Sequence, residues 1–249
     1  PRSTLFPYTT LFRSYTIFET MNDRGLSLSP TEMLKGYLLA NITDASRREE
    51  ANRIWRTQIK KLNEAGKDVG ADFFKTWFRS QYSQKIRERK KGAIPEDFDR
   101  MGTEFHRWLR DESGTIGLNN SNDFFQFISR NFAFYGKHYL KFINAAKHIT
   151  QGLEHVMYNS DQGFTLQYLL LLAPLDPEDS DGIVNQKARL VSCFLDILLT
   201  WRLWNFRSIA YSTMQYAMFI IMRDIRGLAP TPLAEKLYEY LKRERDIRK

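Results

Sequence analysis

Cysteine is nearly missing from this chain of 249 residues: Cys193 is the only one, set in the apolar run "LVSCFLDILLTW". One thiol cannot build an internal disulfide framework or a cysteine-based zinc site, and its neighbours favour an unreactive core position. Histidine is scarce too. His106, His138, His148 and His155 fall in no HExxH-like spacing, so no metal-ligand pattern can be read. The chain has no GxxxxGKS or GxxxxGKT, no GxGxxG and no GxSxG, which excludes the familiar phosphate-cradling loops and nucleophile elbows. No stretch reaches the ~20 apolar residues of a membrane-spanning helix. "FTLQYLLLLAPL" is interrupted by Gln167 and Pro174, and the run around Cys193 by Asp196. These absences point to a cytoplasmic chain with no membrane partner and no complete catalytic set of its own.

Acidic residues are in the minority. Lys and Arg number 37 against 29 Asp and Glu, a net charge of +8 that suits an anionic partner such as nucleic acid without identifying one. Two of those cations belong to an odd opening, "PRSTLFPYTTLFRS". Leu5, Phe6, Leu11 and Phe12 with Arg2 and Arg13 resemble an amphipathic import segment. Reverse translation gives a better reading, because residues 1–14 all fall in frame on the universal adapter used in short-read DNA sequencing. They are expected to be an adapter-derived artefact, with the genuine chain starting near Tyr15 inside a larger protein.

What remains reads as mainly helical. "YTIFET" at Tyr15–Thr20 alternates like a short strand and "NDRGLSLS" supplies turn residues. Ser29, Pro30 and Glu32 then form a capping-box start for a helix carrying Met33, Leu34, Tyr37, Leu38 and Ile42. Apolar stripes predict a second helix at Ile54–Leu62, a third from Phe73 to Ile86 and a fourth from Phe98 to Leu109. A long aromatic segment, 124–149, an apolar one at 164–172, and helices near 183–204, 211–226 and 231–247 follow. The expected organisation is an end of a truncated α/β domain at 15–45, a helical region at 46–175, a hinge at 176–182 where "APLDPEDSDG" concentrates prolines and acids, and C-terminal helices at 183–249. The aromatic stripes fit core packing better than base stacking.

Two stretches could carry function. "KIRERKK" sets Lys85, Arg87, Arg89, Lys90 and Lys91 around one acid, either as a phosphate-binding patch at a helix end or as a solvated helix terminus favoured by the helix dipole. "FETMNDRGLSLSPTEMLK" joins a turn at Gly25, the local hydrogen-bonding side chains of Asn22 and Asp23, and the fork of Arg24 to a helix N-terminus suited to an anion. A plain strand-turn-helix connection also accounts for that composition.

Phe18, Glu19, Asn22, Arg24, Gly25, Leu28 and Lys35 match the pattern FExxNxRGxxLxxxxxxK and resemble the GmrSD-type restriction family, whose N-terminal domain is ParB-like or sulfiredoxin-like. "RLWNFRSIAYSTMQYAMFIIMRDIRG" is similar to the helical part of such proteins. The resemblance implies a bacterial phage-defence protein acting on DNA, often modified DNA, with a nucleoside triphosphate and Mg²⁺ as cofactors of the intact parent. It also implies a DGQQR-like motif before Tyr15 and a His-Asn-His nuclease, in cis or in trans. Neither motif is in this chain, so the resemblance implies a fragment that holds no cofactor and is inactive alone. On the same basis Asn22, Arg24 and Gly25, with Glu19 orienting Arg24, would border the nucleotide site. The competing reading is a non-enzymatic helical module that binds nucleic acid or a partner protein.

Overall fold

The computed structural model describes residues 29–88 and 90–246. These residues are mainly α-helical, and no strand occurs among them. The strand expected at Tyr15–Thr20 lies outside the described residues.

The first helices follow their sequence signals closely. α1 (Pro30–Ala40) starts at the expected capping box, and α2 (Ala45–Ala65) starts at Asp44, whose carboxylate accepts from the Arg47 N–H at 2.8 Å. α3 (Val69–Tyr82) buries Phe73, Phe74, Trp77 and Phe78 completely. Side chains three and four apart share one helix face, so these rings form a single stripe. The helix stops at Tyr82, four residues short of Ile86, because the next backbone N–H groups find other acceptors. Gln84 and Lys85 donate to the Asp97 carboxylate at 2.6 and 2.9 Å, and Arg87 donates to Asp99 at 2.9 Å. Residues 83–88 become a surface strap hooked onto the following helix.

That helix is broken. α4 (Asp97–Thr103) and α5 (Phe105–Asp111) replace the single helix expected from Phe98 to Leu109, with Glu104 leaving helical geometry between them. α6 (Ser121–Gln126) runs into a π-helical turn, Phe127–Phe132, and then α7 (Ala133–Ala145). The extra residue in a π turn rotates the faces on either side. Here Phe127 stacks on Trp77 at 5.0 Å, while Phe132 stacks on Trp55 at 4.7 Å and lies parallel to Phe74 at 5.6 Å. At Gly136 of α7 an added Cβ would come within 2.4 Å of the Gln58 amide, so glycine sets how closely α7 approaches α2.

α8 (Glu154–Asp161), α9 (Gln167–Leu172), α10 (Asp181–Trp204), α11 (Tyr211–Ile225) and α12 (Pro230–Asp246) complete the described residues. α10 packs against α8, α9 and α12, and one apolar core runs from Leu34 to Leu237. Residues 173–180 join α9 to α10, with 176–180 at the surface. Asp179 accepts from Lys187 Nζ at 2.7 Å, the same ammonium donates to the Pro174 carbonyl at 2.8 Å, and Tyr135 Oη donates to the Leu175 carbonyl at 2.9 Å.

Several helix ends are closed by side chains from distant helices. The last carbonyls of a helix have no partner within it and must find one. Ser80 and Ser83 at the end of α3 accept from Arg226 Nε and Nη2, each at 2.8 Å. The end of α9 is closed in turn by Gln81, donating to the Leu172 carbonyl at 2.7 Å, and by the Gly227 N–H, donating to Ala173 at 3.1 Å. Gly227 has φ +65°, which an L side chain rarely adopts, and this lets the chain leave α11 at Arg226 and fold back onto α9.

His138 on α7 is buried edge-to-face against Phe134 at 4.5 Å, with no hydrogen-bond partner for either ring nitrogen. Burial first, then Lys137 and Lys141, holds its pKa down at about 4, against the opposing pull of Asp181 and Asp179. Its unfolded value is 6.5, so between these values the unfolded chain takes up the proton while the folded one does not. The stabilisation is full above pH 6.5 and is lost as pH falls toward 4. Thermal melting points are therefore expected to drop across that window, and His138→Gln to flatten the drop; an unchanged slope would remove His138 as its source.

Candidate anion-binding cleft

The helix N-terminus expected to attract an anion is already occupied by the protein itself. Glu32 Oε2 accepts from the Ser29 N–H at 2.8 Å and the Ser29 hydroxyl at 2.9 Å, and the Ser29 hydroxyl accepts from the Glu32 N–H at 3.2 Å. The Ser29 backbone bond is the main reason the Glu32 carboxyl titrates below its usual range. An external anion would have to displace that carboxylate.

Two cations, Lys35 and Arg56, lie beside this cap. Lys35 is half-buried and makes no hydrogen bond or ion pair among the described residues. Burial, and next the charge of Arg56, push its ammonium below the ordinary lysine value, while Glu32 opposes them. Desolvation of one cation next to another is unfavourable unless an anion neutralises the pair. Lys35 and Arg56 line one cleft of about 790 Å³ together with Ser29, Trp55, Asn63 and Asp68. Glu32, Lys60 and Glu64 line it as well, so its three cations, Lys35, Arg56 and Lys60, face the carboxylates of Glu32, Glu64 and Asp68; Glu64 pairs with Lys60 at 3.8 Å, and Glu32 acts on Lys35. An anion entering this cleft would meet Lys35 and Arg56 but also the Glu32 carboxylate, and Trp55 offers it little ring face, being buried and stacked on Phe74 at 5.3 Å and on Phe132 at 4.7 Å.

Its residues come from three helices. Lys35 is on α1, Trp55 and Arg56 are on α2, and Gly70 and Ala71 belong to the first turn of α3. Lys35 is the last residue of the motif that starts at Phe18. Glu19, Asn22, Arg24 and Gly25 of that motif lie outside the described residues. Nothing in the sequence ties Arg56 to Lys35, because the juxtaposition is made by helix packing.

The basic run is separate in character. Lys85 and Arg87 are exposed on the strap, Lys90 is exposed and pairs with Glu88, Lys91 is exposed, and Arg89 lies outside the described residues. The expectation of a helix end at this point is corrected: α3 closes at Tyr82, so these cations are beyond the reach of its dipole. A second cavity, about 370 Å³, lies among α3, α7 and α9. Its polar groups are used internally: Lys75 pairs with Asp72 at 3.0 Å, and Arg79 Nε donates to the Phe98 carbonyl at 2.8 Å with its guanidinium 4.3 Å from the Phe98 ring. Among the described residues no three His, Cys, Asp or Glu side chains gather as metal ligands, and no helix is long and apolar enough to cross a membrane.

Comparison with family models, curated proteins and solved structures gives no match.

Proposed function

We propose that this chain is the helical part, with the end of the preceding nucleotide-binding domain, of a GmrSD-like cytoplasmic bacterial defence protein. In the intact parent, a nucleoside triphosphate with Mg²⁺ would drive restriction of foreign, modified DNA through a nuclease domain in cis or in trans. The residues of this chain meet the nucleotide phosphates with positive charge from Arg24 of the motif and from Lys35 and Arg56 of the cleft, and with the neutral amide of Asn22 as a hydrogen-bond donor. The observation that carries the proposal is the position of Lys35. The last residue of the sequence pattern is a half-buried ammonium that makes no ion pair among the described residues and lies near Arg56, with the Glu32 carboxylate opposing that charge.

The test is nucleotide affinity and hydrolysis in the intact parent protein. Arg24→Ala and Lys35→Ala are each expected to weaken nucleotide binding about tenfold or more, the size of a lost charge-assisted hydrogen bond. Unchanged affinity and hydrolysis in both variants would overturn the assignment.

The exposed strap favours a second reading, a helical module that binds nucleic acid without nucleotide chemistry. Binding through Lys85, Arg87, Lys90 and Lys91 would fall steeply with salt and be indifferent to sequence.

A further inference from the structure

Most rings among the described residues are in the core, and the two most exposed lie at the end of α10 and in the loop that follows it. Trp204 is 83% exposed and Phe206 99% exposed. Neither belongs to the apolar core, and among the described residues neither makes a ring contact with another aromatic side chain. Exposure of this degree at two bulky residues two positions apart is unusual, since scattered single apolar side chains are the ordinary case.

The backbone makes the display costly. α10 ends in a Schellman motif, with the Arg207 N–H donating to the Arg202 carbonyl at 2.8 Å and the Phe206 N–H to Leu203 at 3.0 Å. The residue at the turn of that motif takes a left-handed conformation, for which glycine is the usual choice. Phe206 occupies it with φ +54°. A ring that is almost wholly solvated recovers none of that strain by packing, so the fold gains nothing from phenylalanine at this point. Strain retained at an exposed residue points toward function.

The loop is also held still. The Arg202 guanidinium donates from Nε and Nη2 to the Ser208 carbonyl at 3.3 and 3.1 Å, and the Ser208 hydroxyl accepts from the Ala210 N–H at 3.1 Å. Asn205 Nδ2 donates to the Trp201 carbonyl at 2.7 Å. The two rings therefore project from a fixed frame, and ordering them on binding costs little.

Charge selects the partner. Between Asp196 and Asp224 the sequence has no acid, but it has Arg202, Arg207 and Arg223. Among the described residues the carboxylate that reaches the loop is Glu244 of α12, shared by Arg202 at 3.4 Å and Arg207 at 3.3 Å, and the Arg207 side chain stays 40% exposed. Two free rings beside an arginine, in a stretch without acids, suit a polyanion that carries unpaired flat bases. We infer that Trp204 and Phe206 form a stacking platform for unpaired nucleobases of single-stranded nucleic acid, with Arg207 meeting the adjoining phosphate. The inference does not depend on the nucleotide reading of the Lys35 cleft.

Fluorescence anisotropy of a labelled twenty-residue oligothymidylate, titrated with the full chain, tests it. Each lost stacking ring typically weakens single-strand binding by about five- to a hundredfold. Trp204→Ala and Phe206→Gly are expected to fall in that range, while binding of a duplex of equal length changes little. Phe206→Gly relieves the left-handed backbone, so its melting point should equal or exceed that of the parent chain, which separates lost binding from lost folding. No single-strand binding by the parent chain, or equal binding by both variants, would overturn the inference. So would concentration-dependent self-association in sedimentation velocity that both variants abolish, which would assign the rings to a second copy of the chain.

Discussion

Asp179→Ala is expected to destabilise the protein by about 3 kcal/mol, since removing one partner of a buried ion pair leaves the other charge uncompensated. The Lys187 side chain is only 3% exposed and that of Asp179 11%, so little water can replace the carboxylate. Asp179 also accepts from the Asp176 N–H at 2.9 Å, which adds the connection between α9 and α10 to the loss. For a chain of this size the melting point should fall by roughly 6–12 °C. Replacing both members, as Asp179→Leu with Lys187→Met, should recover most of it, because the buried lysine no longer needs a counter-charge. A loss under about 1 kcal/mol for the single variant would mean that the ion pair does not hold the loop.

Arg226→Ala is the other large effect, again about 3 kcal/mol by urea or thermal unfolding. It strips the guanidinium from the Ser80 and Ser83 carbonyls, and hydrogen bonds to a charged group are worth ~1.5–3 kcal/mol each when the acceptor is left dry. Burial pushes the Arg226 pKa down, with Asp97 nearby opposing that shift, so the group is held where water is scarce. Arg226→Lys should restore less than half of the loss, since an ammonium lacks the fork that reaches two carbonyls at once. Full rescue by lysine would show that charge rather than geometry closes α3.

The local parts of this fold were legible and the tertiary parts were not. Ser29, Pro30 and Glu32 specified the start of α1 because a capping box is written within four residues. The ring stripe of α3 was legible for the same reason. Its end was not: Ser83 begins an extended segment because Asp97 and Asp99, more than ten residues away, take up the next backbone donors. The break at Glu104 was hidden as well. An added Cβ at Gly102 would meet Arg79 Nη2 at 1.9 Å, so α4 presses against a guanidinium from α3 that no local pattern announces. In "APLDPEDSDG" the prolines and acids gave the connection between α9 and α10, but not that Asp179 would draw Lys187 into the core beside it.

The candidate site divides in the same way. Lys35 was legible as part of a motif but not as a residue of the site, and Arg56 sits on α2 with nothing to distinguish it from its basic neighbours until packing sets it beside Lys35. Trp204 and Phe206 lie in a stretch with several aromatic residues, Tyr211 and Tyr216 among them, and only the degree of their exposure, 83% and 99%, separates them.

Long-read resequencing of the source DNA across the codon for Tyr15 tests the family assignment most directly. The expected result is an in-frame upstream sequence carrying a DGQQR-like motif in place of residues 1–14. A start codon just upstream of Tyr15, with no such motif before it, would contradict the assignment and leave a helical nucleic-acid-binding module.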